Sequence, residues 1–303
     1  MKPTQLLNDC FDIISKIPYK SGFSRQTINT NIQLIYLNTL NVISNKQDCH
    51  NLAIQQLQTL INVVKKLENG LIGGNLELMW LIGKLINSNI LEQTPFVWQT
   101  SYEVISRNLS YVINSPYQVD VNSRFHAIGV AMMALYNTES DDLNRYVWEE
   151  QIIFKLCDCA KLLSESSPPV YEPAMLTAGI IHSIIAFSDL AIEYNIYPFK
   201  AYQIRNCALE LNYNKLRSNL NDILILQLYK NMNITEELEK MHITSIYKFL
   251  AEIGTLSTIY KNHSLFEKAM RQCRLLHPNL FHYLTNIPKD CLLGITIGLS
   301  SII

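Results

Sequence analysis

Apolar residues recur at three- and four-residue spacing along nearly the whole chain and almost never alternate. Leu57, Leu60, Val63, Val64 and Leu67 are typical. A period near 3.6 places such residues on one helix face, whereas a half-buried strand needs a period of two. The chain is therefore expected to be all-α. Pro18, Pro95, Pro116, Pro168, Pro169, Pro173, Pro198, Pro278 and Pro288 cut it into stretches of helix length, because proline removes an amide donor and clashes with the preceding turn. No low-complexity linker marks a boundary, and the reading is one domain over residues 1–303.

Two kinds of helix alternate. Leu143 to Leu163 is amphipathic, with Arg145, Glu149, Glu150, Lys155 and Asp158 expected on a charged outer face. Asn69 to Asn87, Ala174 to Leu190 and Cys291 to Ile303 are apolar nearly all round and carry glycine or small residues. Helices of that kind belong inside. About seven inward helices are expected, beginning near Gly22, Gly70, Phe125, Thr177, Ser218, Tyr247 and Gly294, at intervals of roughly 30 to 55 residues, which is one helical hairpin per repeat. A hairpin with one all-apolar member cannot bury it alone, so the repeats must share a centre. The expected architecture is an (α/α) toroid of inner and outer layers, and an apolar helix at the C-terminal end favours closure over an open solenoid.

Composition narrows function by exclusion. The chain has 25 basic and 26 acidic residues, for a formal net charge of −1. Binding a phosphate backbone draws on a basic surplus to release counterions, so nucleic acid is not an expected partner. The longest nearly uncharged apolar run, Cys291 to Ile303, is well short of the ~20 residues that cross a bilayer as a helix. Asn8, Asp9 and Asp12 interrupt the stretch that a signal peptide would keep apolar. A cytoplasmic protein that is not integral to a membrane is expected. Seven cysteines without a paired framework fit a reducing compartment, where most serve as small buried hydrophobes.

Several segments carry a family likeness. Trp80-Leu81-Ile82 and Leu85 to Glu92 match an inner helix of the form W-x-[LI]-x-x-L-I-x-x-G-x-[LI]-E, with Asn89 in place of the glycine and Gly70, Gly73 and Gly74 near the opening. Gly179 to Phe187 looks like G-L-A-H-G-I-x-G-[IL]. Lys215 to Asn221 resembles W-C-Y-G-D-L-G with only the leucine identical, Ile246 to Tyr260 looks like C-H-G-x-x-G…R-I-Y, and Gly294 to Leu299 looks like the closing G-x-A-G-I-G-L. In this order and spacing the chain resembles the lanthionine synthetase C-like family, (α/α) toroids that close thioether rings in peptides. The resemblance implies a Zn²⁺ held by one Cys and a Cys-His pair, which activates a thiolate by lowering its pKa. Here Leu216 stands at the first Cys and Ile246-Tyr247-Lys248 at the Cys-His-Gly. None of these side chains ligates zinc. The family's acid/base histidine falls on His182.

The resemblance therefore implies a degenerate member without zinc or another cofactor, which binds a precursor peptide or a peptide-modifying enzyme. An active peptide cyclase with a non-standard set, such as His182 with Cys291, is the alternative. His182 reads otherwise as a satisfied core histidine, and Asp189 and Glu193 follow it on about the same face, lining a cavity or reaching solvent. Other sites read as bland. Cys157 and Cys159 point about 200° apart on a helix. His277 and His282 near Cys273 have no standard ligand spacing. A carbohydrate-active toroid would bring together two carboxylates from Glu77, Asp189, Asp222 and Glu252. An open helical-repeat interaction protein is the remaining alternative.

Overall fold

The computed structural model describes residues 3–18, 27, 30–37, 75–87, 103, 136, 142–165, 177–211 and 219–302. Their regular structure is helical, with no strand among them. The all-α expectation is met. The helices are α1 (Pro3–Ile14), α2 (Asn75–Asn87), α3 (Asp142–Glu165), α4 (Ala178–Glu193), α5 (Pro198–Glu210), α6 (Leu220–Tyr229), α7 (Thr235–Glu239), α8 (Ile243–Ile259), α9 (His263–Leu276) and α10 (Lys289–Ile302), with a 3₁₀ turn at Leu284–Asn286. The chain forms two compact units, Met1–Ile61 with Gln227–Ile303, and Asn62–Leu226.

In the first unit α8 and α10 pack against each other, with α9 on both and α1 on α10. Leu6, Cys10 and Ile14 give α1 a buried stripe at four-residue spacing. The α8–α10 contact is backbone on backbone. A Cβ at Gly254 would lie 2.3 Å from the Gly294 carbonyl oxygen, one at Gly294 would lie 2.4 Å from the Ala251 oxygen, and one at Gly298 would meet the Gly254 Cα and the Phe266 ring. Glycine is required there for proximity rather than for backbone freedom. The Thr258 hydroxyl, donating to the Gly254 carbonyl at 2.9 Å and reaching the Ile297 carbonyl at 3.3 Å, stitches the pair.

In the second unit α4 packs on α5, and α3 lies against both. Thr177 caps α4, its hydroxyl oxygen accepting from the Ile180 amide at 3.3 Å. Pro198 occupies the first turn of α5, where its missing amide hydrogen costs nothing. The preceding turn contains Asn195 and Tyr197 with φ of 56° and 46°; the left-handed region is unusual for a residue as large as tyrosine.

The two kinds of helix are distinct. α4, α8 and α10 are buried around most of their circumference, whereas α5 buries only Ala201, Ile204 and Ala208, and α9 one stripe from Leu265 to Cys273. The expected outer face of α3 needs one correction. Lys155 is only 2% exposed, while Leu143 and Phe154 are 72% and 57% exposed. Seven residues is close to two turns, so Lys155 projects beside Trp148 into the same buried stripe as Ile152, Leu156, Cys159 and Leu163. Burial lowers the Lys155 pKa to about 8.

Candidate functional site

The second unit places a histidine and a carboxylate from different helices together. His182 lies in the second turn of α4 and is 4% exposed. Asp222 lies in the first turn of α6. His182 Nε2 and Asp222 Oδ1 are 3.3 Å apart. Asn219 braces the carboxylate: its Oδ1 accepts from the Asp222 amide at 2.9 Å, and its Nδ2 donates to Asp222 Oδ2 at 2.7 Å. This is the cap position of α6 used twice, once for the helix and once for the acid.

Gly179 makes room for the pair. It precedes His182 by three residues, so the two share a face of α4. A Cβ at Gly179 would stand 3.0 Å from Asp222 Oδ2 and 3.2 Å from its Cγ. The carboxylate thus sits against the first turn of α4 while belonging to the first turn of α6. Both helix N-termini present their positive dipole ends to it. The Ser183 hydroxyl donates to the Gly179 carbonyl and ties down the same turn. An imidazole whose Nε2 faces a held carboxylate is fixed in ring orientation, the arrangement that general acid/base chemistry needs.

Farther along α4, Asp189 pairs with Arg205 of α5. Burial raises the Asp189 pKa, and the adjacent guanidinium opposes that rise. Glu193 is exposed, so of the two acids following His182 one is held by an arginine and the other reaches solvent. Asp189 and Asp222 each face a nitrogen partner. Glu252 lies in α8 of the first unit, and the Glu77 side chain is outside the described residues.

The residues matched to the family's Cys-His pair lie at the start of α8. Ile246 is fully buried, and Tyr247 is buried with its hydroxyl donating to the Leu280 carbonyl at 2.8 Å. Lys248 is exposed and lies near enough to Cys291, in the first turn of α10, to draw that thiol's pKa down against the larger upward effects of burial and Asp290. Leu216, Gly70, Gly73, Gly74, Asn89 and Glu92 fall outside the described residues.

Cys157 is exposed and Cys159 buried, as their angular separation on a helix requires. Burial pushes the Cys273 thiol up to about 12. His277 ends α9, and exposed His282 stands edge-on to Tyr283. Among the described residues, no three of His, Cys, Asp and Glu gather closely enough to hold a metal ion, and no helix is long and apolar enough to cross a membrane. The sequence marks His182 and Asp222 separately, 40 residues apart, and does not join them. The Asn219–Asp222 cap spacing was the only local signal. Compared with protein-family models, curated proteins and solved structures, the chain matches none.

Proposed function

We propose that the chain is a lanthionine synthetase C-like protein, an (α/α) toroid, that works without zinc and binds a precursor peptide or a peptide-modifying enzyme. The observation that carries this reading is the state of Ile246 and Tyr247. At the positions matched to the family's Cys-His pair stand an aliphatic side chain with no ligand atom and a phenol whose hydroxyl is committed to a backbone carbonyl. The succession of buried and half-exposed helices from α4 to α10 further supports hairpin repeats. Metal analysis of the purified protein tests the proposal: the expected result is no stoichiometric zinc, and one equivalent of zinc overturns it.

The His182–Asp222 pair favours a second reading, an acid/base enzyme of the same peptide chemistry. Incubation with a dehydrated, cysteine-containing precursor separates the two. The first reading expects no thioether formation; ring closure that is lost in His182→Asn would establish the second.

A further inference from the structure

α3 and α5 enclose an open cavity of about 670 Å³, within the range of ligand sites. Leu163 and Ile204 form its buried apolar floor, while Lys200, Gln203, Cys207 and Glu210 line one side. Their spacing of three, four and three residues places them in a single row along α5. The row has a cation at one end, an anion at the other, and an amide and a thiol between. Arg205, on the same helix, is taken by Asp189. Lys200 and Glu210 have no oppositely charged partner among the described residues.

Ten residues of helix separate the two charges by ~15 Å, which an extended peptide covers in about four or five residues at ~3.3 Å each. An apolar floor accommodates small side chains, and the central amide suits a peptide backbone. We propose that this cavity binds an extended peptide segment carrying an acidic group against Lys200 and a basic group about four residues away against Glu210. The assignment rests on the peptide-binding reading above and gives it a location.

Cys207 supplies the measurement, because it is an exposed thiol in the cavity wall, while Cys157 is an exposed thiol outside that lining. The full-length protein is alkylated with iodoacetamide in the presence of acetyl-Asp-Ala-Ala-Ala-Lys-amide, and modification at each cysteine is followed by peptide-mapping mass spectrometry. The peptide is expected to slow alkylation of Cys207 and leave Cys157 unchanged. The acetylated, amidated pentaalanine should protect poorly, and Lys200→Ala or Glu210→Ala should each raise the half-protecting concentration about fivefold, the scale of one exposed charge contact. No shielding of Cys207 at about 1 mM peptide, equal shielding of Cys157, or equal protection by pentaalanine overturns the assignment. Shielding failure in a zinc-free protein removes this cavity and leaves the peptide-binding reading standing; stoichiometric zinc removes that reading whatever Cys207 does.

Discussion

Gly179 and Lys155 show how much one position decides. An alanine at Gly179 would bring its methyl group to 3.0 Å from Asp222 Oδ2, so the carboxylate must give way by a few tenths of an ångström against the hold of Asn219, and Gly179→Ala is expected to destabilise the protein by about 1 kcal/mol in urea unfolding. In an Asp222→Ser background the same change should cost clearly less, since the crowded atom is gone; equal costs would show that the two positions are uncoupled. Lys155 makes a different prediction because its burden depends on pH. With a folded pKa of about 8 against 10.5 unfolded, the unfolded chain binds more protons between those values, so this lysine makes stability rise with pH across that window. Below pH 8 it carries the full penalty, about 3 kcal/mol from the size of the shift. Cys159, raised to about 12, acts in the opposite direction from pH 9 upward, because the unfolded thiol ionises first. The difference between wild type and Lys155→Met isolates the lysine. The variant should be more stable by about 3 kcal/mol at pH 7, with the gap closing toward pH 10.5.

Among the elements, α8 and α10 give the sharpest contest between local and tertiary preference. Helix propensity alone favours alanine over glycine by about 1 kcal/mol, so Gly294→Ala in an isolated helix would stabilise. In the folded chain its Cβ would stand 2.4 Å from the Ala251 carbonyl oxygen. Backbone cannot move aside as a side chain can, and the expected net effect is a loss of about 3 kcal/mol or more in urea unfolding. A neutral or stabilising result would show that α8 and α10 do not approach this closely. The same pair clarifies the glycines that first suggested a family motif. Gly294 and Gly298 have a packing role sufficient to explain them. Lys155 illustrates the opposite difficulty, since residue type points a lysine outward although the helix period directs it inward beside Trp148.

For the whole molecule, the toroid proposal predicts a compact particle. A globular chain of 303 residues has a radius of gyration near ~19 Å, and small-angle scattering should return that value; a markedly larger radius would favour an open solenoid. The sequence by itself determined that the described residues are helical and that α4, α8 and α10 are buried, because periodicity and all-round apolarity are properties of contiguous residues; the inward helices expected near Gly22 and Phe125 lie outside the described residues. It also singled out His182. The tertiary structure alone decided that Asp222 meets His182 from another helix, that Gly179 leaves the space for it, and that α3 and α5 enclose a cavity with Lys200 and Glu210 at its ends. These are juxtapositions of segments far apart in the chain, set by how helices pack, and no local pattern encodes the distance between them.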